Sequence, residues 1–257
     1  MLSIALAVSL VWLGFLVALF YYACAVPSSQ LLGRTLVRGP AEGERIALTF
    51  DDGPAPPFTE QILDILRDHD VPATFFVCGK NVEQFPDVVC RLHLEKHTIG
   101  NHTYSHPFLY FKSRARMAEE IDRTQAAIER VTGVCPKIFR PPYGARWFGL
   151  FDVLADRGLE AVQWSDPSFD WKKKNQAADV ARLTLRGLRA GSVILMHDGR
   201  EPRSRDGIDA SKTVEALPAI IEGARRVGLK FVSIEEFLSK KPDSGAARVV
   251  APSKPAL

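Results

Sequence analysis

Ile46-Ala47-Leu48-Thr49-Phe50-Asp51-Asp52-Gly53 is the stretch from which the rest of the chain is read. A short apolar run ends in two adjacent carboxylates and then a turn residue, the pattern of a strand leaving a core for a loop. Successive strand residues point to opposite faces. The loop start must therefore re-aim the two acids if both serve one site, and Gly53-Pro54 supplies that break. Two neighbouring carboxylates repel each other. A divalent cation on one offsets the charge and leaves the other available as a base. The plainer reading is an Asp-Asp-Gly turn that caps the next helix.

Later segments favour the first reading. His102 and His106, in His102-Thr103-Tyr104-Ser105-His106, are four apart and share a face if the segment turns like a helix. With Asp52 they make a three-ligand set with an open position, the catalytic arrangement for zinc. Arg140-Pro141-Pro142-Tyr143-Gly144 follows the apolar pair Ile138-Phe139; its prolines fix an extended path that can hold an Arg and a backbone N–H in set positions. Trp164-Ser165-Asp166-Pro167-Ser168-Phe169-Asp170-Trp171 places two acids between two tryptophans. Val193-Ile194-Leu195-Met196 is an apolar strand ending in His197-Asp198-Gly199, and active sites of parallel α/β folds lie at such strand ends.

These five segments resemble the motifs of the polysaccharide deacetylase family (carbohydrate esterase family four, the chitooligosaccharide deacetylase homology domain), in order, from about Arg45 to Leu238. The resemblance implies Asp51 as general base, and Asp52, His102 and His106 as ligands of a divalent metal. It implies Arg140 as the partner that holds Asp51 ionised and the Tyr143 backbone N–H as oxyanion donor. Asp170 would orient and charge His197, the general acid, while Leu195 and Trp171 would wall the acyl pocket. Lys96 departs from the family, which usually has Gly before His97. The implied reaction is hydrolysis of N-acetyl groups on amino-sugar polymers of the peptidoglycan or chitin type, giving acetate and a free amine. A His-His-Asp set also binds cobalt or nickel, with zinc the first expectation. The same residues would serve an O-acetyl esterase or a deformylase of a lipid-linked sugar. A non-catalytic sugar-binding module would be expected to lack Asp51, a His ligand or His197, and all are present.

With 46% hydrophobic residues in 257, the chain can bury a large core, and a net charge of +3 gives no argument for nucleic acid. Cys78, Cys90 and Cys135 allow at most one disulfide in the domain. Residues 1–25 carry no charged side chain. As a helix, Leu2 to Cys24 spans roughly 34 Å, enough for a bilayer core. A membrane anchor is favoured over a cleaved signal peptide because the run is long and no Lys or Arg precedes it. Ala23-Cys24-Ala25 keeps cleavage open, and lipidation of Cys24 is a third reading. Arg34, Arg38 and Arg45 follow the segment and, by the positive-inside rule, favour a cytoplasmic domain, whereas the family implies a cell-envelope substrate and an outside location.

Residues 26–44 read as a linker, 45–239 as the deacetylase domain and 240–257 as a disordered tail. Within the domain, strands at 45–50, 74–77, 98–101, 138–140, 161–164, 192–196 and 231–233 alternate with helices at 57–69, 82–96, 117–131, 147–157, 178–188, 214–227 and 234–239. That alternation predicts a parallel (β/α) barrel, and the family's version is distorted. A polar loop, 199–211 with Asp206, is expected to border the groove.

Overall fold

The computed structural model describes residues 2–199 and 209–239, the side chains of residues 2–5 excepted. Asp206, most of the expected polar loop and the tail 240–257 lie outside the described residues.

The strand that opens the reading is central. β2 (Arg45–Asp51) is buried at every position after the first, which matches its nearly unbroken apolar composition. It pairs in parallel with β3 (Thr74–Val77), β8 (Val193–His197) and, at its start, β9 (Lys230–Val232). Beyond β3 come β4 (Thr98–Asn101), β5 (Ile138–Phe139), β6 (Glu160–Val162) and β1 (Thr35–Leu36), and β7 (Asp166–Pro167) lies beyond β8. All pairings among the described residues are parallel.

Register delivers the motifs to one end. Asp51 lies opposite His197 across β2 and β8, Val77 opposite Asn101, and Asn101 opposite Phe139. The chain from Glu160 to Pro167 supplies both β6, at one side of the strand order, and β7, at the other. Between them, Gln163 N–H donates to Leu36 O at 2.7 Å and Ser165 N–H to Val193 O at 3.1 Å. The sheet thus curls into a half-barrel with helices around it. A further tie is Gly39 N–H to Gly191 O at 2.8 Å, and a Cβ on Gly191 would lie 2.4 Å from Gly39 O.

The helices follow their apolar spacing. α2 (Phe58–Asp68) buries Thr59, Ile62, Leu63 and Leu66. α5 (Arg114–Thr132) starts three residues before the apolar pattern does, because the Ser113 hydroxyl caps it by accepting Arg116 N–H at 3.2 Å, and it stops at Gly133, whose φ is 71°. The expected helix 82–96 is two helices, α3 (Gly79–Gln84) and α4 (Pro86–Leu94), since Pro86 cannot continue the hydrogen-bond ladder. α6 (Leu150–Ala155) is shorter than expected, while α7 (Ala177–Gly187), α8 (Ser211–Arg226) and α9 (Ile234–Ser239) fall close to expectation. One core joins β2, β3 and β8 to α2, α4, α7 and α8, with Phe50 stacked on Phe75 at 4.9 Å. Each such side chain contributes about 1.5–3 kcal/mol by leaving water. Lys96, the departure from the family pattern, has a φ of 63°, a conformation that Gly adopts more easily.

Segment 26–44 is not the linker expected. β1 pairs with β6, and the Gln30 side chain bonds both Thr35 N–H at 2.7 Å and Thr35 O at 3.0 Å. Backbone bonds recruit this segment, and such bonds leave no apolar periodicity to read. No disulfide joins the four cysteines.

Ahead of the domain, α1 (Leu2–Ala25) is apolar all round. Its stretch Leu6–Ala25, with mean hydropathy 2.1, is long and apolar enough to cross a membrane.

Candidate active site

Asp51 ends β2, buried, with Oδ1 2.6 Å from Arg140 Nη1. Arg140 follows β5 and is itself fully buried; it also donates to Thr49 Oγ1 at 2.8 Å and Gln163 O at 2.9 Å, and its guanidinium lies 4.1 Å from the centroid of the Phe76 ring. Burial pulls the guanidinium pKa down, and the Asp51 charge opposes that. This Arg is committed to a carboxylate and to carbonyls of the barrel wall, a rigid fork that Lys would not reproduce.

Asp52 turns the other way. Its φ of 76° re-aims the side chain where the strand ends, and Asn81 Nδ2 holds its carbonyl at 2.7 Å. Asp52 Oδ1 faces His102 Nε2 at 3.3 Å and His106 Nε2 at 3.1 Å. His102 Nδ1 lies 2.7 Å from Arg140 O, a carbonyl that only accepts, so Nδ1–H donates there and fixes the ring with Nε2 facing the carboxylate. Asp52 Oδ1 is buried without a hydrogen-bond partner. Ligand atoms of Asp52, His102 and His106 all lie within 4.8 Å of one another. Such convergent acceptors fit a divalent cation. Burial alone would raise the Asp52 pKa, yet the facing imidazoles hold it well below the usual carboxylate value.

The His pair does not converge by helical turning, as the spacing suggested. Thr103 and His106 have φ of 66° and 53°. The buried carboxylate of Glu120 on α5 shapes the loop instead, accepting Tyr104 N–H at 3.1 Å, Ser105 N–H at 2.8 Å and Ser105 Oγ at 2.9 Å. Asn101 Oδ1 accepts Thr103 N–H at 2.9 Å.

His197 completes the site from β8. Its Nδ1 is 2.9 Å from Asp170 Oδ1, while Asp170 Oδ2 accepts His197 N–H at 2.7 Å and Thr213 Oγ1–H at 2.8 Å. Burial works against the charged ring, but Asp170, then Asp52 and Asp51, raise its pKa to about 10. Trp171 meets the ring edge-on at 5.3 Å. Tyr143, at a φ of 58°, packs its ring against His106 at 4.6 Å.

Nine of the ten residues expected from sequence line one cleft of about 870 Å³: Asp51, Asp52, His102, His106, Tyr143, Asp170, Trp171, Leu195 and His197. Arg140, the tenth, is buried next to Asp51. Asp166, the other acid between the tryptophans, pairs with Arg38 at 3.1 Å. Three supporting residues escaped the sequence reading, Glu120, Asn81 and Thr213, and Asp198 was read only as part of the His197-Asp198-Gly199 strand end. Asp198 is buried and accepts Gly53 N–H at 3.1 Å and Thr59 Oγ1–H at 2.7 Å, and burial raises its carboxyl pKa to about 7. Glu120 carried a signal, a charged residue on the apolar face of α5 between Met117, Ile121 and Thr124.

The polysaccharide deacetylase profile matches residues 38–162. A peptidoglycan-N-acetylglucosamine deacetylase of Bacillus cereus is 39% identical over 196 residues, 76% of this chain and 69% of that protein. A chitooligosaccharide deacetylase of Sinorhizobium fredii is 36% identical over 195 residues, 73% of this chain and 89% of that protein. The crystal structure of a peptidoglycan N-acetylglucosamine deacetylase, in complex with 4-naphthalen-1-yl-N-oxidanyl-benzamide, superposes with a TM-score of 0.73 at 36% identity, covering 80% of this chain and 92% of that one.

Proposed function

The chain belongs to the polysaccharide deacetylase family, and on that premise we infer that it is a metal-dependent hydrolase removing N-acetyl groups from amino-sugar polymers, peptidoglycan first among them. One observation carries the reading: Asp51 and His197 stand opposite each other on adjacent strands, with partners of opposite sign, beside an Asp–His–His cluster. Such a pairing separates a base from an acid.

Asp52, His102 and His106 would hold the cation. Zinc suits two imidazoles and a carboxylate best, while cobalt or nickel would also bind. When bound, the ion supplies Lewis acidity and makes water more acidic. Asp51 takes the proton of the attacking water, with Arg140 fixing its other oxygen. The Tyr143 backbone N–H stabilises the charge that develops on the acetyl oxygen. His197, held protonated by Asp170, gives its Nε2 proton to the leaving nitrogen. Water and amide thus become acetate and a free amine. Leu195 and Trp171, which both line the cleft, would flank the acetyl methyl. We place the catalytic domain on the cell-envelope side, with α1 as its membrane anchor.

The test is acetate release from peptidoglycan and N-acetylated chitooligosaccharides by the full chain in detergent, with metal, after chelation, and as Asp51→Asn. Release lost in both controls supports the reading. A folded, metal-loaded protein that releases acetate from neither substrate overturns it and turns attention to O-acetyl esters, lipid-linked formylated sugars or sugar binding alone.

A further inference from the structure

A run of ring contacts leads from the apolar N-terminal helix to the mouth of the cleft. Phe20 of α1 meets Trp147 at 5.9 Å between ring centroids and Phe148 at 6.3 Å. Trp147 contacts Phe111 at 4.6 Å and Tyr110 at 5.6 Å. Tyr110 lies 5.8 Å from Phe108, which stacks on Tyr143 at 4.0 Å. The outer members face solvent: Phe111 is 84% exposed, Phe148 56% and Phe108 51%. A contiguous exposed aromatic group of this kind marks an interaction surface.

Its position relative to α1 names the partner. With a rise of about 1.5 Å per residue, Phe20 lies roughly 7–8 Å from the end of the helix. That places Phe20 inside the apolar stretch Leu6–Ala25. A ring that touches Phe20 shares its depth. Tyr21 and Tyr22, both exposed, mark the same level with the residue type enriched at lipid–water interfaces. The helix end is also fixed to the domain. Arg146 N–H donates to Cys24 O at 2.9 Å and Tyr110 Oη–H to the same oxygen at 3.3 Å. The Arg146 guanidinium donates to Ser29 O at 2.6 Å, to Pro27 O at 3.3 Å and to Val26 O. These bonds and the Phe20 contacts tie the helix end to the aromatic collar.

We propose that Phe108, Phe111, Trp147 and Phe148 form a membrane-docking surface that seats in the lipid interface beside α1 and holds the Tyr143 side of the cleft against the bilayer. This rests on the reading of α1 as a retained anchor. The occupant is lipid rather than a second protein because the collar is continuous with the membrane-spanning helix itself.

The test uses the full chain reconstituted into vesicles of phosphatidylcholine and phosphatidylglycerol doped with a phospholipid that carries a diazirine on an acyl carbon near the glycerol. After irradiation and digestion, mass spectrometry locates the lipid adducts. Adducts are expected on α1 and on the peptides holding residues 108–111 and 147–148. They should be several-fold weaker at Leu94, Val134 and Val227, which are apolar and 72%, 51% and 69% exposed outside the collar. Phe111→Ser combined with Phe148→Ser should lower the collar adducts and leave those on α1. Adducts on α1 with none on the collar overturn the docking surface and leave the anchor standing. Equal labelling of the collar and the three other sites overturns it as well. No adducts on α1 removes the anchor and the proposal together. None of these outcomes depends on deacetylation.

Discussion

Asp170→Asn removes the charge that faces His197 and leaves the shape of the side chain nearly unchanged. Asp170 accepts three hydrogen bonds, from His197 Nδ1, His197 N and Thr213 Oγ1. An amide in its place can keep the Nδ1–H bond through its oxygen, but its NH2 then meets the His197 N–H, so about 1–3 kcal/mol of stability is lost. The effect on protonation is larger. His197 sits at about 10 rather than 6.5 although burial opposes its charge, a preference for the imidazolium of about 5 kcal/mol. The leading cause of that rise is the Asp170 charge, ahead of Asp52 and Asp51, and the variant removes it. A cation beside Asp52 repels the imidazolium, so in the loaded enzyme the basic limb of kcat against pH lies below 10 in both proteins. In Asp170→Asn that limb moves down by about 1–3 pH units, and kcat at pH 8 falls with the protonated fraction that remains, by up to ~10² for the largest shift. The same rise stabilises the fold: the contribution is complete below about 6.5 and disappears as pH climbs through about 10, and the variant flattens that dependence. Imidazole NMR titration of chelated protein reads the ring directly, and a pH–rate profile reads its use. A basic limb that stays in place in the variant, or a His197 titration that does not move, refutes the assignment.

His106→Ala leaves two ligands, so zinc affinity measured by chelator competition should fall by at least ~100-fold, beyond what loss of an outer partner costs; unchanged affinity removes His106 from the metal set. In the parent chain, zinc at ~100 times its dissociation constant should add about 2.7 kcal/mol of stability, seen as a higher Tm that chelation reverses. Gly53→Ala places a Cβ 1.9 Å from Asp198 Oδ2, and urea denaturation should show a loss of about 1–3 kcal/mol; a neutral result refutes the packing. Arg146→Met leaves three carbonyls without their buried donor, and limited proteolysis within residues 26–34 should accelerate several-fold, while an unaltered rate shows that the segment is held by other means.

Much of the site was legible because its chemistry is written at strand ends. The apolar runs before Asp51 and His197 read as strands, parallel pairing aligned them, and Arg140 and Asp170 were readable through the same motifs. The elements that escaped are those built on backbone bonds or on long-range partners. β1 has two residues and no pattern, so only its ladder with β6 defines it. The His102–His106 loop reached the same ligands by left-handed residues and the Glu120 carboxylate, where i,i+4 spacing pointed to a helical turn. Pro86 was visible in the sequence as a helix break, yet the apolar spacing on both sides masked it.

If α1 is the anchor proposed above, the Arg146 clasp on the carbonyls of Val26, Pro27 and Ser29 limits the reach of the catalytic centre. Were residues 26–44 a free tether of that length, the domain would wander by about 24 Å, and by roughly 65 Å at full stretch. Clasped, its working radius is the width of the domain alone. With α1 as the proposed anchor, glycan within that thin layer at the foot of the helix would be within reach of the proposed deacetylation, and glycan above it would not. On that reading, the depth of envelope at which acetyl groups disappear would be set by bonds far from the chemistry, the Arg146 guanidinium and the β1–β6 ladder among them.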